Sequence, residues 1–164
     1  MSLDSVSDRF CFRPYVAVVS AMVLAALCVH PLRLAAQSAD DSIFTTPGLH
    51  ATLLQREGKA SVHYTISIPQ NYSSQTPVPL VLALHFGIGG GPGAGAGGDV
   101  LRYLVGPALA ELGAIIVAPD SLGGDWSTPE NEEAVDDLLN TTMAKYSIDK
   151  KKVVVTGYSM GGTG

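Results

Sequence analysis

Between Val62 and Ile68 the chain alternates: Val62, Tyr64, Ile66 and Ile68 are apolar or aromatic, while His63, Thr65 and Ser67 are polar. A period of two puts one set on each face of a strand, so this segment predicts a strand with one wetter face, ended by Pro69. Three later runs do not alternate: "LVLALH" (80–85), "AIIVAPD" (114–120) and "KKVVVTG" (151–157). Uninterrupted apolar runs of this length fit strands covered on both faces of a parallel sheet. Two stretches between them follow the helical period. In "DVLRYLVGPALAELG" (99–113), Leu101, Leu104, Val105, Ala108, Leu109 and Leu112 share a face, Asp99 stands where a cap belongs, and Gly113 terminates. Pro107 should kink or split that helix. In "PENEEAVDDLLNTTMAKY" (129–146), Thr128 precedes as the cap, Pro129 occupies the first turn, acids come early and Lys145 comes late, all in the sense of the helix dipole. Strand, helix, strand, helix, strand predicts an α/β fold: an open, mostly parallel sheet with helices on both faces, joined by right-handed crossovers.

Ahead of this pattern the chain has a different character. Arg9 and Arg13 are followed by fifteen residues without charge, Tyr15 to Val29, and then by the small residues of "LAAQSA". That layout predicts a secretory leader over residues 1–36, cleaved between Ala36 and Ala39, because fifteen residues fall short of the ~20 that span a bilayer. The alternative is an uncleaved membrane anchor. The expected location is secreted or periplasmic, with membrane contact only through an uncleaved leader. Residues 37–60 are Pro/Gly-punctuated and read as a linker leading into a domain over 61–164.

Composition narrows the partners. Both cysteines, Cys11 and Cys28, lie in the leader, so the remainder holds no disulfide framework or cysteine metal site. Three of the ten Lys/Arg and two of the fifteen Asp/Glu also lie there, leaving seven against thirteen, a net of −6. With no basic stripe, nucleic acid is not expected as a partner. No metal or cofactor is expected.

The eighteen glycines concentrate in two places, the run after His85 and the chain's last turn. Gly157-Tyr158-Ser159-Met160-Gly161 is G-x-S-x-G directly after a buried strand. A serine reaches a substrate carbonyl only if the chain turns sharply enough to lift its hydroxyl above the sheet, and such a turn crowds the backbone at positions 157 and 161, where glycine fits. Ser159 is therefore the candidate nucleophile, and the N–H of Met160, next in the chain, is a candidate oxyanion donor. The loop "HFGIGGGPGAGAGG" leaving the first buried strand should supply a second donor, Gly87 or Phe86. His85 is expected to brace that loop rather than to act as a base. Tyr158 and Trp126 are candidates for a pocket, although Trp126 also fits a plain role in packing its loop onto the sheet. The acids Glu132, Glu133, Asp136 and Asp137 read as a solvated helix face.

"VPLVLALHFG", "LGAIIVAPDS" and "KYSIDKKKVVVTGYSMGG" together resemble the α/β-hydrolase superfamily. The resemblance is to its secreted esterase branch, with dienelactone-hydrolase-like, feruloyl-esterase-like and polyhydroxyalkanoate-depolymerase-like enzymes, and to prolyl-oligopeptidase catalytic domains. It covers roughly residues 61–164. It implies a serine hydrolase, of the carboxylic-ester type, working through an acyl-enzyme on a small-molecule or polymer-linked ester, with a peptidase as the alternative. It also implies the chain order Ser, acid, His, so the acid and the histidine are expected beyond Gly164, in a longer protein. The usual His-Gly is His85-Phe86 here, which leaves the loop's donor open between two residues.

Three other readings compete. Gly93, Gly95 and Gly98 spell G-x-G-x-x-G ahead of a helix, with Asp120 ending the next strand, as in a dinucleotide-binding domain; but the first of them stands eight residues beyond His85, too far for a pyrophosphate turn. A chymotrypsin-like set of His63 or His85, Asp120 and Ser159 would need an all-β fold. A non-catalytic binding module on the hydrolase fold is the third.

Overall fold

The computed structural model describes residues 43–89 and 91–164. The expected leader, residues 1–36, lies outside the described residues. Five strands form one sheet in the order β1-β2-β4-β3-β5: β1 is Gly48–Leu54, β2 Val62–Ile68, β3 Val78–Leu84, β4 Ile115–Pro119 and β5 Ile148–Gly157. β4-β3 and β3-β5 pair in parallel, whereas β1-β2 and β2-β4 pair antiparallel. The sheet is thus mixed, with its parallel part where the sequence placed the buried runs.

Side-chain alternation along the central strands divides the core into two layers. Leu80, Leu82 and Leu84 of β3, with Ile115 and Val117 of β4, face the layer that contains Leu138, Trp126 and Tyr146. Val81 and Ala83, with Ile116 and Ala118, face Val100 and Leu101. Helical segments therefore cover both faces, which is why these strands read as continuous apolar runs.

Helix α3, Pro129–Lys145, starts with Thr128 in extended conformation and Pro129 in the first turn. The threonine makes no side-chain cap; Asp125, Ser127 and Asn131 organise the approach instead, with Asn131 donating to the carbonyls of Gly123 and Asp125. The other helical stretch starts earlier than the sequence predicts. α1 is Ala96–Val100 with Gly95 at the N-cap, so Asp99 is inside the helix and is not its cap. A π turn, Leu101–Val105, follows, then α2, Gly106–Ala108, and a 3₁₀ turn, Ala110–Leu112. The helix is thus split around Pro107, which sits within α2 with the π turn just before it and the non-helical Leu109 two residues after, as its missing N–H and the bulk of its ring favour.

One strand was not expected. Within the supposed linker, β1 pairs along its whole length with β2, from Gly48 opposite Ile68 to Leu54 opposite Val62. In the turn that joins the two strands, the buried Arg56 donates from Nε to Asp137 at 2.7 Å and from Nη2 to Glu133 at 3.0 Å, fastening the turn to α3. Among the described residues, no helix is long and apolar enough to cross a membrane.

Candidate active site

Three strand ends meet at one edge of the sheet: β3 at Leu84-His85, β4 at Pro119-Asp120 and β5 at Gly157. In open α/β sheets this carboxyl edge is where ligands bind. From Leu80 opposite Val153, β3 and β5 keep one register up to Leu84 opposite Gly157, and the Tyr158 N–H donates to the Leu84 carbonyl at 3.4 Å. The chain then reverses into α4, Met160–Thr163. Ser159 forms the reversal with φ 54° and ψ −115°, and it is the one non-glycine residue with positive φ among the described residues. Such a conformation costs of order 1–3 kcal/mol and persists only where the surroundings impose it.

The flanking glycines impose it by close approach. A Cβ on Gly157 would overlap the Gly161 carbonyl, and a Cβ on Gly161 would overlap the Leu84 carbonyl. Gly161 N–H donates to Tyr158 O at 3.1 Å and Gly162 N–H to Ser159 O at 2.9 Å. Met160, as the first residue of α4, has an N–H with no acceptor inside its own helix. Ser159 is exposed, as is Tyr158 at 62%.

The loop leaving β3 lies against this turn. A methyl on Gly87 would stand 3.7 Å from the Met160 sulfur, so Gly87 and Met160 are neighbours. His85 is fully buried beneath the loop and both ring nitrogens are engaged: Nε2 accepts the Ser121 N–H at 3.0 Å, and Nδ1 is 2.6 Å from the Phe86 carbonyl. Accepting at Nε2 requires the proton on Nδ1, which then donates to Phe86 O; the two contacts are satisfied by one neutral tautomer. Trp126 is buried beside it, its indole N–H donating to the His85 carbonyl at 2.9 Å and its ring edge-on to the imidazole at 4.8 Å. On its other side Trp126 borders a cavity of about 380 Å³ with Leu82, Leu84, Val135 and Leu139.

The second glycine motif has a different employment. Gly95 N–H donates to Asp120 Oδ2 at 2.7 Å and Gly97 N–H to Oδ1 at 2.8 Å. The backbone donors that a pyrophosphate would need are filled by the chain's own carboxylate, which removes the basis of the dinucleotide reading. Asp120 is the residue whose part sequence reasoning missed: its partners are 23 and 25 residues away, and no local spacing signals the contact. Nor are the components of a chymotrypsin-like triad assembled, since His85 is occupied and His63 meets Asp120 through its backbone carbonyl. Among the described residues, no group of three or more His, Cys, Asp or Glu converges to hold a metal.

No protein-family model matches the sequence, and no curated protein does. Solved structures do. The chain is similar to a thermostable esterase (TM-score 0.56, 19% identity, 70% of this chain and 35% of that one). It is similar also to an acetyl xylan esterase from Aspergillus awamori (TM-score 0.50, 28% identity, 70% and 43%). A third is a poly(3-hydroxybutyrate) depolymerase from Bordetella parapertussis (TM-score 0.55, 20% identity, 71% and 44%). The chain spans less than half the length of each. The mixed sheet, the helices on its two faces and these likenesses together establish that the described residues have the α/β-hydrolase fold.

Proposed function

We propose that the protein is a serine hydrolase of the carboxylic-ester type. The observation that carries this reading is Ser159: an exposed hydroxyl on a residue held at φ 54°, between two glycines that admit no Cβ, at the carboxyl edge of the sheet. The likeness to an acetyl xylan esterase at 28% identity supports an ester rather than another bond. In the proposed reaction, Ser159 Oγ attacks the ester carbonyl while a base removes its proton, and the carbonyl oxygen becomes an oxyanion. The tetrahedral intermediate collapses to an acyl-enzyme with loss of the alcohol, and water then releases the acid.

Met160 N–H and Gly87 N–H are the proposed oxyanion donors. The choice of Gly87 over Phe86 rests on peptide geometry. The Phe86 carbonyl is turned toward the His85 ring, and in a planar trans peptide the Gly87 N–H points the opposite way, away from that buried ring. The base is assigned beyond Gly164, together with its acid. This assignment is supported by the placement of the histidines among the described residues: His85 is held as above, His50 is stacked on Phe44 and bonded to Thr46 O, and His63 is on β2, with β4 and β3 between it and β5.

The test is labelling of the full-length protein with a fluorophosphonate, alongside p-nitrophenyl acetate hydrolysis. Both are expected, and Ser159→Ala should abolish both; labelling that survives the substitution would refute the assignment. Export through the leader is proposed as well, with the mature N-terminus between Gln37 and Asp40. Mass spectrometry of exported protein checks it, an intact Met1 on membrane-associated protein being the contrary result.

A further inference from the structure

We propose that Asp120 is a positioning residue for catalysis, one that fixes the oxyanion loop by tying its far end to the tip of β4. The inference rests on the serine-hydrolase reading and adds a residue to it.

The loop from Phe86 to Ala94 has to hold one N–H against the Ser159 turn, yet Gly87, Ile88, Gly89, Gly91 and Pro92 are exposed. Glycine-rich backbone is costly to order, so anchors must be found at its ends. At the near end His85 holds Phe86 O. At the far end the tip of β4 supplies the hydrogen bonds that reach outside the loop and its helix. Gly93 N–H donates to Ser121 O at 2.8 Å, and the Asp120 carboxylate takes Gly95 N–H and Gly97 N–H, one on each oxygen. Packing closes the same seam: a Cβ on Gly93 would overlap His85 Nε2, and one on Gly97 would overlap the Ala118 carbonyl.

Two charge-assisted bonds at 2.7 and 2.8 Å are the strongest links in this seam. They also have a direction. A cap from within α1 would stabilise the helix but leave it free to shift, whereas Asp120 stands on the backbone of the strand beside β3 and is itself held by its N–H on His63 O at 2.8 Å. β3 lies between β4 and β5, so the loop is clamped on the β4 side and bears on Met160 on the β5 side. Releasing the clamp lets Gly87 drift from the oxyanion while leaving substrate contacts elsewhere in place. A misplacement on the order of 1 Å at a catalytic donor costs about 100-fold in rate.

The experiment compares full-length wild type with Asp120→Asn and Asp120→Glu in p-nitrophenyl acetate kinetics, fluorophosphonate labelling rate and thermal unfolding. Asn offers one acceptor oxygen where Asp offers two. Glu keeps the charge at the glycine N–H groups but lengthens the clamp by one methylene, and it guards against a variant that fails to fold. The expected result for both is a fall of about 10- to 100-fold in kcat and in labelling rate, with KM within about threefold of wild type. A folded Asp120→Glu with wild-type kcat overturns the inference, as does a loss of kcat that only tracks the unfolded fraction. Ser159→Ala separates the two claims. If labelling persists in that variant the serine reading falls; if labelling depends on Ser159 but not on Asp120, only the positioning role falls.

Discussion

At the scale of single residues, the sharp turn at Ser159 was legible because its constraint is local. Gly157 and Gly161 are four apart, and each is glycine because a Cβ would strike backbone rather than a side chain that could move aside. Gly161→Ala should therefore cost about 1–3 kcal/mol or more through overpacking against the Leu84 carbonyl. Ser121 makes the opposite case. Its backbone serves both His85 and Gly93, while its hydroxyl is buried without a hydrogen-bond partner among the described residues. An unsatisfied buried hydroxyl costs free energy, so Ser121→Ala should leave stability unchanged or raise it by up to about 1 kcal/mol. Thermal unfolding of the two variants side by side checks both signs. Asp120 was illegible for the converse of the reason that exposed Ser159: its partners are remote in sequence, and only the packing of β4 beside β3 brings them together.

At the scale of elements, periodicity located the four strands and α3 because burial dictates their patterns. β1 escaped because it is held by pairing more than by burial: Leu49 is 43% exposed and Ala51 is exposed, so no apolar face marks it. The order of strands and the antiparallel join of β2 to β4 were likewise out of reach, since alternation reports faces and not neighbours. Apolar packing joins the β1-β2 hairpin to α3, and ion pairs add to it at the hairpin's turn. Glu133 takes a hydrogen bond from Lys59 Nζ at 2.7 Å and another from Arg56, and these contacts, Lys59 first, hold its carboxyl below the ordinary glutamate range against the opposing effect of burial. A carboxyl depressed in the folded state binds fewer protons there than in the unfolded chain. Its contribution to stability is accordingly complete above the ordinary glutamate range and is lost as pH falls through that range toward the depressed value. Glu133→Gln should lower the unfolding temperature at neutral pH and narrow the gap between neutral and acidic pH. A variant whose stability falls by equal amounts at both pH values would exclude the linkage.

At the scale of the whole molecule, β5 is the outer strand of the described sheet and carries Ser159 at its end. Val154 is 53% and Val155 is 56% exposed. Successive strand residues point to opposite faces, so both faces of β5 are open at its centre, although its composition is that of a strand covered on both. Residues 37–164 expressed alone should for this reason self-associate through that strand, with an apparent mass on size exclusion that rises with concentration, and Val155→Lys should suppress the rise by charging the exposed face. The same segment should neither hydrolyse p-nitrophenyl acetate in a Ser159-dependent way nor label with a fluorophosphonate. A serine without its base stays a neutral alcohol, and the oxyanion donors alone retain on the order of 10³ to 10⁴ over water even in a well-formed site. The full-length protein should show both activities. Stoichiometric labelling of the segment that disappears in Ser159→Ala would place a working base within residues 37–164 and overturn the assignment of that base beyond Gly164.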